Sequence, residues 1–208
     1  MPLSRDDVVR AAVEVIDERG LGGLTLRGLA TRLGISAPTL YWHVTDKRHL
    51  LDLVAEHVLA QLPARRAPAE GEPLVDWLAD GMRVRRAAML AHRDSALVVA
   101  GNRPTEDAMP AIDATVAVLT DAGLSPGEAV RVLTALGSFL LGDVLETQAA
   151  RDRPVPDNLA DPRAHPHLRA AAADMGGDDD RFEDGLALML DGLRARLAAR
   201  AATGVAPV

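Results

Sequence analysis

Cysteine is absent from this chain of 208 residues. Disulfide bonds, cysteine-based zinc sites and thiol catalysis are therefore excluded. Long apolar runs are also absent, and no stretch approaches the length that a helix needs to span a bilayer. The N-terminal segment carries Asp6 and Asp7 before its first run of apolar residues, so it does not resemble a signal peptide. We therefore expect a cytoplasmic protein that does not associate with a membrane.

Aromatic residues are also scarce. They make up 2% of the chain, although hydrophobic residues make up 48%. The core must then be built from Leu, Val and Ala, which favours helices over a β-sandwich. The length is sufficient for one small domain and one larger domain. We therefore predict an all-α protein in two parts.

The segment 24–47 has the layout of a helix, a tight turn and a second short helix. Its first helix has apolar residues at helical spacing: Leu26, Leu29, Ala30 and Leu33. Thr25 and Ser36 are expected to cap the two helices, because their hydroxyls accept from free amides of the first turn. Gly34 suits the turn between the helices, where the backbone must leave the helical region. Pro38 suits the first turn of the second helix.

The second helix of this pair presents polar and aromatic residues outward. Leu40 and Val44 share the face that can pack on the first helix. One interpretation is a helical hairpin whose aromatic residues fill a local core. The other is a helix-turn-helix that enters the major groove of DNA, where flat amphipathic side chains meet bases and phosphates. The chain has one Tyr and two Trp, and placing Tyr41 beside Trp42 on a short polar helix favours DNA binding.

The net charge of −7 is unevenly divided along the chain. Residues 1–50 carry seven basic and six acidic side chains, while the remainder carries 16 basic and 24 acidic ones. An acidic body with a near-neutral N-terminal part is consistent with DNA binding through one end only. It argues against a protein that coats DNA without specificity.

Two strings, PTLYWHV and DKRHLLD, resemble the DNA-binding domain of the TetR family, and most closely its tetracycline-repressor branch. AHRDSALVVAGNRPTE and GSFLLGDVLETQ are similar to parts of that branch's ligand-binding domain. The resemblance weakens between about residues 151 and 180. It implies an N-terminal three-helix helix-turn-helix DNA-binding domain plus a larger helical ligand-binding and dimerisation domain. The implied function is a transcriptional repressor that binds a palindromic operator as a homodimer and is released by a small-molecule effector.

The resemblance also implies which residues contact double-stranded DNA: Thr25, Arg27, Ser36, Ala37, Pro38, Thr39, Tyr41, Trp42, His43 and Lys47. Arg27 suits a bidentate pair with a guanine. Lys47, the only lysine, suits a phosphate clamp at a helix start, and the alternative is an exposed lysine without a partner. Ala37 departs from the branch, which has a base-reading amide side chain there. We therefore expect a different operator.

Other helical patterns define the organisation of the chain. They predict helices over 5–19, 46–62, 74–91, 95–100, 106–122, from 125 onward, 168–173 and 181–200. We expect Ser4 and Thr45 to cap the first two of these helices. The side chains expected to face inward are Leu50, Leu51, Val54 and Val58 in the second helix and Ile112, Val116 and Leu119 in the fifth, whose start Pro110 interrupts. A stripe of apolar residues that includes Leu190 and Leu193 runs along the last helix. The Pro/Gly-rich segment 63–73 marks a domain boundary. We therefore divide the chain into a DNA-binding domain (1–46), a connecting helix and linker (47–66) and a ligand-binding and dimerisation domain (67–203).

The helix that begins after Ser125 is the most apolar one. Ser125 and Glu128 form a capping box with Pro126 at the first helical position. No charge lies between Arg131 and Asp143, which predicts a helix buried on several sides. This helix and the one from residue 181 are the expected surfaces of the homodimer.

The implied effector pocket lies in the body, and its expected lining is Trp77, Met82, Arg85, Met89, Val99, Asn102, Arg103, Pro104, Thr115, Leu119, Leu133, Gly137 and Glu146. The branch's metal-binding histidine is replaced by Val99, which cannot ligate Mg²⁺. Four positions that grip the drug in that branch hold other residues here: Pro63, Gly81, Arg85 and Thr115. We therefore expect a drug-like or natural-product effector, less polar than a tetracycline, with Arg85 or Arg103 facing any negative group.

Other site chemistry has weak support. His165 and His167 lie in a Pro-rich segment without further ligands, so we expect solvent-exposed histidines and no metal site. Asp143 and Glu146 have the spacing of an acid/base pair, but no partner motif accompanies them. We therefore expect no catalytic residues and no cofactor. The alternative that remains is a DNA-binding regulator without a small-molecule effector.

Overall fold

The computed structural model describes residues 3–60, 67–152 and 165–203, and every regular element within them is helical. The α-helices are α1 (Arg5–Arg19), α2 (Leu26–Arg32), α3 (Ala37–Tyr41), α4 (Lys47–Ala60), α5 (Leu74–Leu90), α6 (Ser95–Val99), α7 (Met109–Asp121), α8 (Pro126–Asp152), α9 (Pro166–Asp174) and α10 (Asp178–Thr203). Short 3-10 helices precede α2 (Leu21–Gly23) and α7 (Glu106–Ala108). We call α1–α4 the head and α5–α10 the body. The predicted all-α fold is confirmed.

Helix α1 has the predicted bounds, and local chemistry explains both ends. The Ser4 hydroxyl accepts from the Asp7 amide at 3.2 Å, and the Asp7 carboxylate accepts from the Ser4 amide at 2.9 Å. These contacts with Ser4, together with Arg10, lower the pKa of Asp7 to about 2. Gly20 ends the helix with φ of 73°, in the left-handed region that only glycine enters without steric strain.

The predicted helix-turn-helix is formed by α2 and α3. The Thr25 hydroxyl accepts from the Gly28 amide at 3.0 Å, and the Ser36 hydroxyl accepts from the Thr39 amide at 3.2 Å. Gly34 has φ of 66°, as the turn requires. Leu40 and Val44 are fully buried against the rest of the head. Both predicted caps and the predicted turn are therefore confirmed.

Helix α4 joins the head to the body. The predicted cap, Thr45, is wrong: the Asp46 carboxylate accepts from the His49 amide at 2.8 Å, so Asp46 caps the helix. The Thr45 hydroxyl instead contacts His49 Nδ1. The predicted end of this helix falls on residues 61–66, which lie outside the described residues. Its inward side chains include Leu50, Val54 and Val58, which are buried as predicted.

Helix α8 runs through the body and begins at the predicted capping box. The Ser125 amide donates to the Glu128 carboxylate at 2.9 Å, and the Glu128 amide donates to the Ser125 hydroxyl at 3.4 Å. Only one stripe of α8 is buried in the protomer, comprising Ala129, Leu136, Leu140, Val144 and Thr147. The expectation of burial on several sides is wrong for a single chain, because no described segment covers Val130, Gly137 or Ser138.

Helix α7 departs from the prediction in the same way. Leu119 is buried, Val116 is half-buried, and Ile112, predicted to face inward, is 39% exposed. The helix packs on α8 along too narrow a strip to cover its N-terminal half. Its start matches the expected effect of Pro110, since a 3-10 turn precedes the α-helix there.

Arg86 of α5 contacts both α8 and α10 and so links three helices of the body. Its guanidinium donates to Asp143 of α8 at 2.6 Å and to Asp179 of α10 at 2.5 Å. It also lies 4.6 Å from the ring centre of Phe182, which stacks on Phe139. Burial acts to lower the pKa of Arg86, but the two carboxylates outweigh it, so the pKa is raised overall. Arg86 is therefore a charged residue of the core.

The last two helices are close to their predicted bounds. α9 spans Pro166–Asp174, around the predicted 168–173. α10 begins three residues earlier than predicted, at Asp178. The acidic start explains this extension, because the Asp180 carboxylate accepts from the Gly177 amide at 2.8 Å and carboxylates favour a helix N-terminus.

Candidate DNA-binding surface and effector cleft

Helix α3 presents its aromatic side chains to solvent. Trp42 is 86% exposed and Tyr41 is 54% exposed, whereas Leu40 between the exposed positions is fully buried. The hypothesis that these aromatics fill a local core is therefore wrong. A short helix that is held by one buried leucine and carries flat exposed side chains is suited to contacting base edges and sugar–phosphate groups.

The predicted DNA-contacting residues lie together on α2, α3 and the start of α4. Most are exposed, and His43 and Lys47 are half-buried. Thr25 and Arg27 line a groove of about 520 Å³ beside α1 and α2. Arg32 in the same groove is held by Glu14 and Glu18 at 2.9 and 2.7 Å. Arg27 has no ion pair among the described residues, so its charge remains available for DNA.

Lys47 has a partner within the head, so the alternative of an exposed lysine without a partner is wrong, and its contact with a phosphate stays a prediction. Its ammonium group donates to the Leu24 carbonyl at 2.7 Å and is half-buried. The contact ties the start of α4 to the segment before α2. An ammonium group has three donors, and this bond uses one of them. Lys47 therefore fixes the geometry of the head and keeps donors for a phosphate.

The predicted effector-lining residues come from α5, the turn after α6, α7 and α8. Among the described helices, α5 and α7 each pack on α8 but make no extensive contact with each other. We use the name effector cleft for the region where the sequence analysis predicts the ligand, between α5 and α7 over α8. Some of its predicted residues are buried in the core, namely Trp77, Met82, Met89 and Leu119. Others are half-buried, namely Arg85, Val99, Asn102, Thr115 and Leu133.

The remaining predicted lining residues are exposed in a single chain, namely Arg103, Pro104, Gly137 and Glu146. Asp143 is bound to Arg86 and Glu146 is exposed, so these two carboxylates do not act as a pair. Pro63, a further predicted departure, lies outside the described residues. Within the described ranges, no group of three or more His, Cys, Asp and Glu side chains is placed to hold a metal ion.

Arg85 is the cation of the cleft. Burial lowers the pKa of its guanidinium. Its contact with the Gly81 carbonyl is long, at 3.4 Å, and no carboxylate among the described residues pairs with it. Arg83, two residues earlier, is held by Glu183 at 2.7 Å. Arg85 is therefore the arginine of this helix that has no carboxylate partner among the described residues.

The side-chain oxygen of Asn102 is the second unusual polar group of this region. The Asn102 backbone amide donates to the Val99 carbonyl at 3.0 Å. Its side-chain oxygen is buried without a hydrogen-bond donor in the described part of the chain. Such groups are uncommon, because an unsatisfied buried acceptor loses its hydration without compensation.

The contacts that join head and body have no signal in the sequence. Asp17 of α1 accepts from the Arg93 amide at 2.9 Å and contacts His92 Nδ1 at 2.9 Å. In return, Asp94 accepts from the Leu21 amide at 2.7 Å. Asp94 has φ of 54°, which is uncommon for a residue other than glycine. We call these three contacts the head–body clamp.

A second set of contacts links α4 to the turn after α6. Asp52 accepts from the Arg103 amide at 3.2 Å, and Glu56 accepts from the Thr105 amide at 2.6 Å. Pairs separated by about 50 residues leave no periodic signal in a sequence, which explains why the analysis did not find them. The two sets of contacts therefore connect the segment after α5 and the turn after α6 with the head.

A search for membrane-spanning helices within the described ranges finds none that is long and apolar enough. Two family descriptions match the chain. "Bacterial regulatory proteins, tetR family" matches residues 8–54, and "Tetracyclin repressor-like, C-terminal domain" matches residues 67–197. Together they cover the head and most of the body.

Among curated relatives, the tetracycline repressor protein class A from transposon 1721 of Escherichia coli is 41% identical over 204 residues, which are 93% of this chain and 92% of that one. A class A TetR structure in complex with 5a,6-anhydrotetracycline and magnesium has a TM-score of 0.71 at 36% identity, covering 93% of this chain and 99% of that one. ActR from Streptomyces coelicolor in complex with actinorhodin has a TM-score of 0.80 at 27% identity, covering 95% and 99%. The chain therefore belongs to the TetR family and is a ligand-responsive transcriptional repressor of the tetracycline-repressor type.

Proposed function

We propose that this protein binds a palindromic operator as a homodimer in the cytoplasm and releases it when a small molecule occupies the effector cleft. TetR-family regulators are transcription factors, and we propose no catalytic activity and no cofactor for this chain. The observation that carries the proposal is the exposed Tyr41–Trp42 pair on a capped α3. We retain the division into residues 1–46 for DNA, 47–66 as connection and 67–203 for ligand and dimer.

In this proposal, α3 enters the major groove and the start of α2 approaches the flanking backbone. Thr39, Tyr41 and Trp42 are exposed in the direction of the DNA, and Arg27 supplies an unpaired charge beside them. Lys47 contacts a phosphate with the donors that Leu24 does not use. Ala37 carries no hydrogen-bonding side chain, so the base opposite it is selected by contact rather than by a bidentate pair.

The dimer forms through α8 and α10. A groove of about 780 Å³ lies between these helices, lined mainly by apolar side chains. Leu188 in this groove is 77% exposed, and Val130 on α8 is 50% exposed. Two such protomers bury these faces in a four-helix bundle, as in the family. Two heads about one helical turn of DNA apart (~34–36 Å) then read a palindrome.

The effector is not magnesium-bound tetracycline. Relatives of this chain include a structure with 5a,6-anhydrotetracycline and magnesium, but Val99 lacks the electron pair that a metal ligand needs. Gly81 and Thr115 offer little to the polar face of a tetracycline, and Arg85 offers charge. A compound whose polar groups are left unpaired in a closed site binds weakly.

Ligand binding controls DNA binding by favouring one arrangement of the two heads. The head–body clamp and the α4 contacts connect the cleft to α1 and α4. A ligand shifts an equilibrium only between states that it distinguishes. We propose that the occupied cleft favours a head spacing that does not match the operator.

The test starts with selection of binding sites from a random DNA pool by the full chain. A palindrome is expected, and Thr39→Ala and Tyr41→Ala should each weaken binding to it. If both variants keep wild-type affinity at fixed salt, the head does not contact DNA in this way. Calorimetry with tetracycline, with and without Mg²⁺, tests the effector: tight, metal-dependent binding would contradict the proposed ligand class.

A further inference from the structure

We propose that Gln148 is a positioning residue that fixes the head relative to α8 and so determines which half-site spacing the protein accepts. The inference rests on the proposed function, because it concerns how a dimer formed through α8 places two heads on one operator. The observation that carries it is a set of hydrogen bonds from Gln148 to residues 89–95, which we call the clamp turn. This segment joins α5 to α6 and includes the body side of the head–body clamp.

The amide group of Gln148 reaches the clamp turn from the C-terminal part of α8. Its nitrogen donates to the His92 carbonyl at 2.7 Å and to the Ser95 hydroxyl at 3.2 Å. The buried Ser95 hydroxyl donates in turn to the Met89 carbonyl at 2.5 Å. Hydrogen bonds linked in this way polarise and strengthen one another. The clamp turn is therefore held by a chain of donors that begins on α8.

The position of these acceptors explains why the side chain is a glutamine. The Gln148 nitrogen also lies 3.5 Å from the Met89 carbonyl oxygen, so two carbonyl oxygens surround it. A carbonyl oxygen only accepts hydrogen bonds, and of the two ends of an amide group only the NH₂ end donates. A glutamate has nearly the same shape but cannot donate when ionised, and a methionine has similar length and no donor. Both replacements would leave the clamp turn without its bonds to α8.

The clamp turn contacts the end of α1 on its other side. The His92 ring contacts Asp17 at 2.9 Å, while the His92 carbonyl accepts from Gln148. The Asp94 carboxylate lies so near the head that a Cβ at Gly20 would be 2.9 Å from its oxygen. The clamp turn thus contacts the head directly and is bound to α8 by hydrogen bonds. The position of the head relative to α8 depends on both sets of contacts.

The consequence appears when two heads bind one operator. In the proposed dimer α8 belongs to the interface, so a head that is fixed to α8 is also fixed relative to its partner. Inserting one base pair between two half-sites moves one of them by about 3.4 Å and rotates it by about 35°. A preorganised pair of heads rejects that change, whereas a loosely held pair adapts to it and has a larger ordering cost at the correct spacing.

The first experiment measures spacing preference with the full chain. Anisotropy titrations compare the selected palindrome with the same sequence carrying one extra central base pair. The insertion should weaken wild-type binding about a hundredfold, and binding of Gln148→Met only about tenfold. Gln148→Glu should relax the preference at least as much. Arg151→Met is the matched control, because Arg151 contacts the Leu90 carbonyl from the next turn of α8, at 3.4 Å, and does not contact the clamp residues. It should keep the wild-type preference.

The second experiment requires no DNA. The amides of Leu21 and Arg93 donate to the clamp carboxylates, so their hydrogen exchange reports local opening of the clamp. In Gln148→Met both amides should exchange about tenfold faster, because two donations to the clamp turn are lost. The His49 amide, which donates to Asp46 within the head, is the internal reference and should exchange at the wild-type rate.

The inference is overturned if Gln148→Met binds both DNA sequences more weakly by the same factor, since that result describes a purely structural role. It is also overturned if Arg151→Met relaxes the preference equally, or if exchange at Leu21 and Arg93 is unchanged. In each of these cases a palindrome bound by the wild type leaves the repressor function standing. If exchange accelerates as expected and the wild type binds no palindrome, Gln148 positions the head and the proposed function fails.

Discussion

The head and the body use their apolar residues differently. In the head, the apolar residues of α1 and α4 close a core within one chain, and the aromatic pair on α3 is its main exposed apolar feature. In the body, long apolar helices remain open: Leu188, Val130 and Ile112 are all exposed. The head thus buries its apolar residues within one chain, whereas the body leaves apolar faces exposed that a second chain covers in the proposed dimer.

This difference matches what each part does. A DNA-binding surface must be rigid before it meets the operator, so each helix of the head is capped or anchored locally. A part that must respond to a ligand needs a surface whose arrangement can change, and the exposed apolar side chains of α8 and α10 belong to such a surface.

The largest effect is expected where the body is incomplete. Leu190 and Leu193, suggested by the leucine stripe of α10, are already buried inside the protomer, so charges there would unfold it. Leu188→Glu instead places a charge in the exposed groove and should yield monomers by sedimentation, with operator affinity lower by about 10²–10⁴. Leu97→Glu, an exposed leucine outside the groove, should remain dimeric. A dimeric Leu188→Glu protein would place the interface elsewhere.

The next largest effect concerns the stability of the body. Arg86→Met leaves the half-buried Asp143 without its partner and should lower the free energy of unfolding by about 3–5 kcal/mol in urea titrations. Arg83→Met removes a surface pair and should change it by about 0–1 kcal/mol. Adding Asp143→Leu to Arg86→Met should restore part of the loss. A loss of only about 0–1 kcal/mol for Arg86→Met as well would show that the buried pair stabilises the body no more than a surface pair does.

The third prediction separates stability from DNA binding within α3. Trp42→Ala should leave the urea midpoint unchanged, because the side chain is 86% exposed, while operator affinity falls by about 1–3 kcal/mol. Leu40→Ala should instead destabilise the head, because it removes a fully buried side chain. If Trp42→Ala instead lowered the urea midpoint and left operator affinity unchanged, Trp42 would stabilise the head and would not contact the DNA.

A smaller effect is expected at the head–body clamp. Asp94→Ala removes the acceptor of the Leu21 amide and should change the ligand-induced loss of operator affinity by about 1 kcal/mol. Intrinsic affinity of the monomeric head for DNA should be unaffected. Anisotropy titrations with and without effector measure this coupling. Identical coupling in Asp94→Ala and the wild type would mean that the clamp carries no signal.

The smallest predicted effect is a change in how stability depends on pH. The pKa of Asp7 is lowered to about 2 from 3.8 by its bonds to Ser4 and Arg10. Because the folded value lies below the unfolded one, its stabilising contribution is present above about pH 4 and is lost as the pH falls toward 2. The stability difference between wild type and Asp7→Asn should therefore shrink across that interval. A constant difference would show that the capping box of α1 does not depend on charge.

Much of this architecture follows from local signals. Ser4, Ser36 and Ser125 mark helix starts because capping acts within three residues, and the structure confirms all three. The misassigned cap at Thr45 shows the limit, since neighbouring Asp46 offers the same chemistry. Burial was misjudged on α7 and α8, because periodicity identifies an apolar face but not what covers it.

The site was predictable to different degrees. Exposure of the α3 aromatics follows from composition and pattern, since few aromatics were available for any core. The lack of a carboxylate partner for Arg85 was not predictable. Arg83 has Asp80 three residues away, but the other carboxylates that pair with Arg83 and Arg86 lie about 60 to 100 residues away. Long-range pairing of charges is a property of the tertiary structure.

Lys47 gives the protein a convenient chemical property. It is the only lysine in the chain, and its amine is held at the Leu24 carbonyl where α4 meets the segment before α2. Amine acylation is therefore expected at a single side chain, apart from the N-terminal amine, and it should be slower while the Lys47 amine donates to Leu24. The rate of that acylation therefore reports on how often the bond between Lys47 and Leu24 opens. A fluorophore attached to Lys47 places one reporter on each head of a dimer.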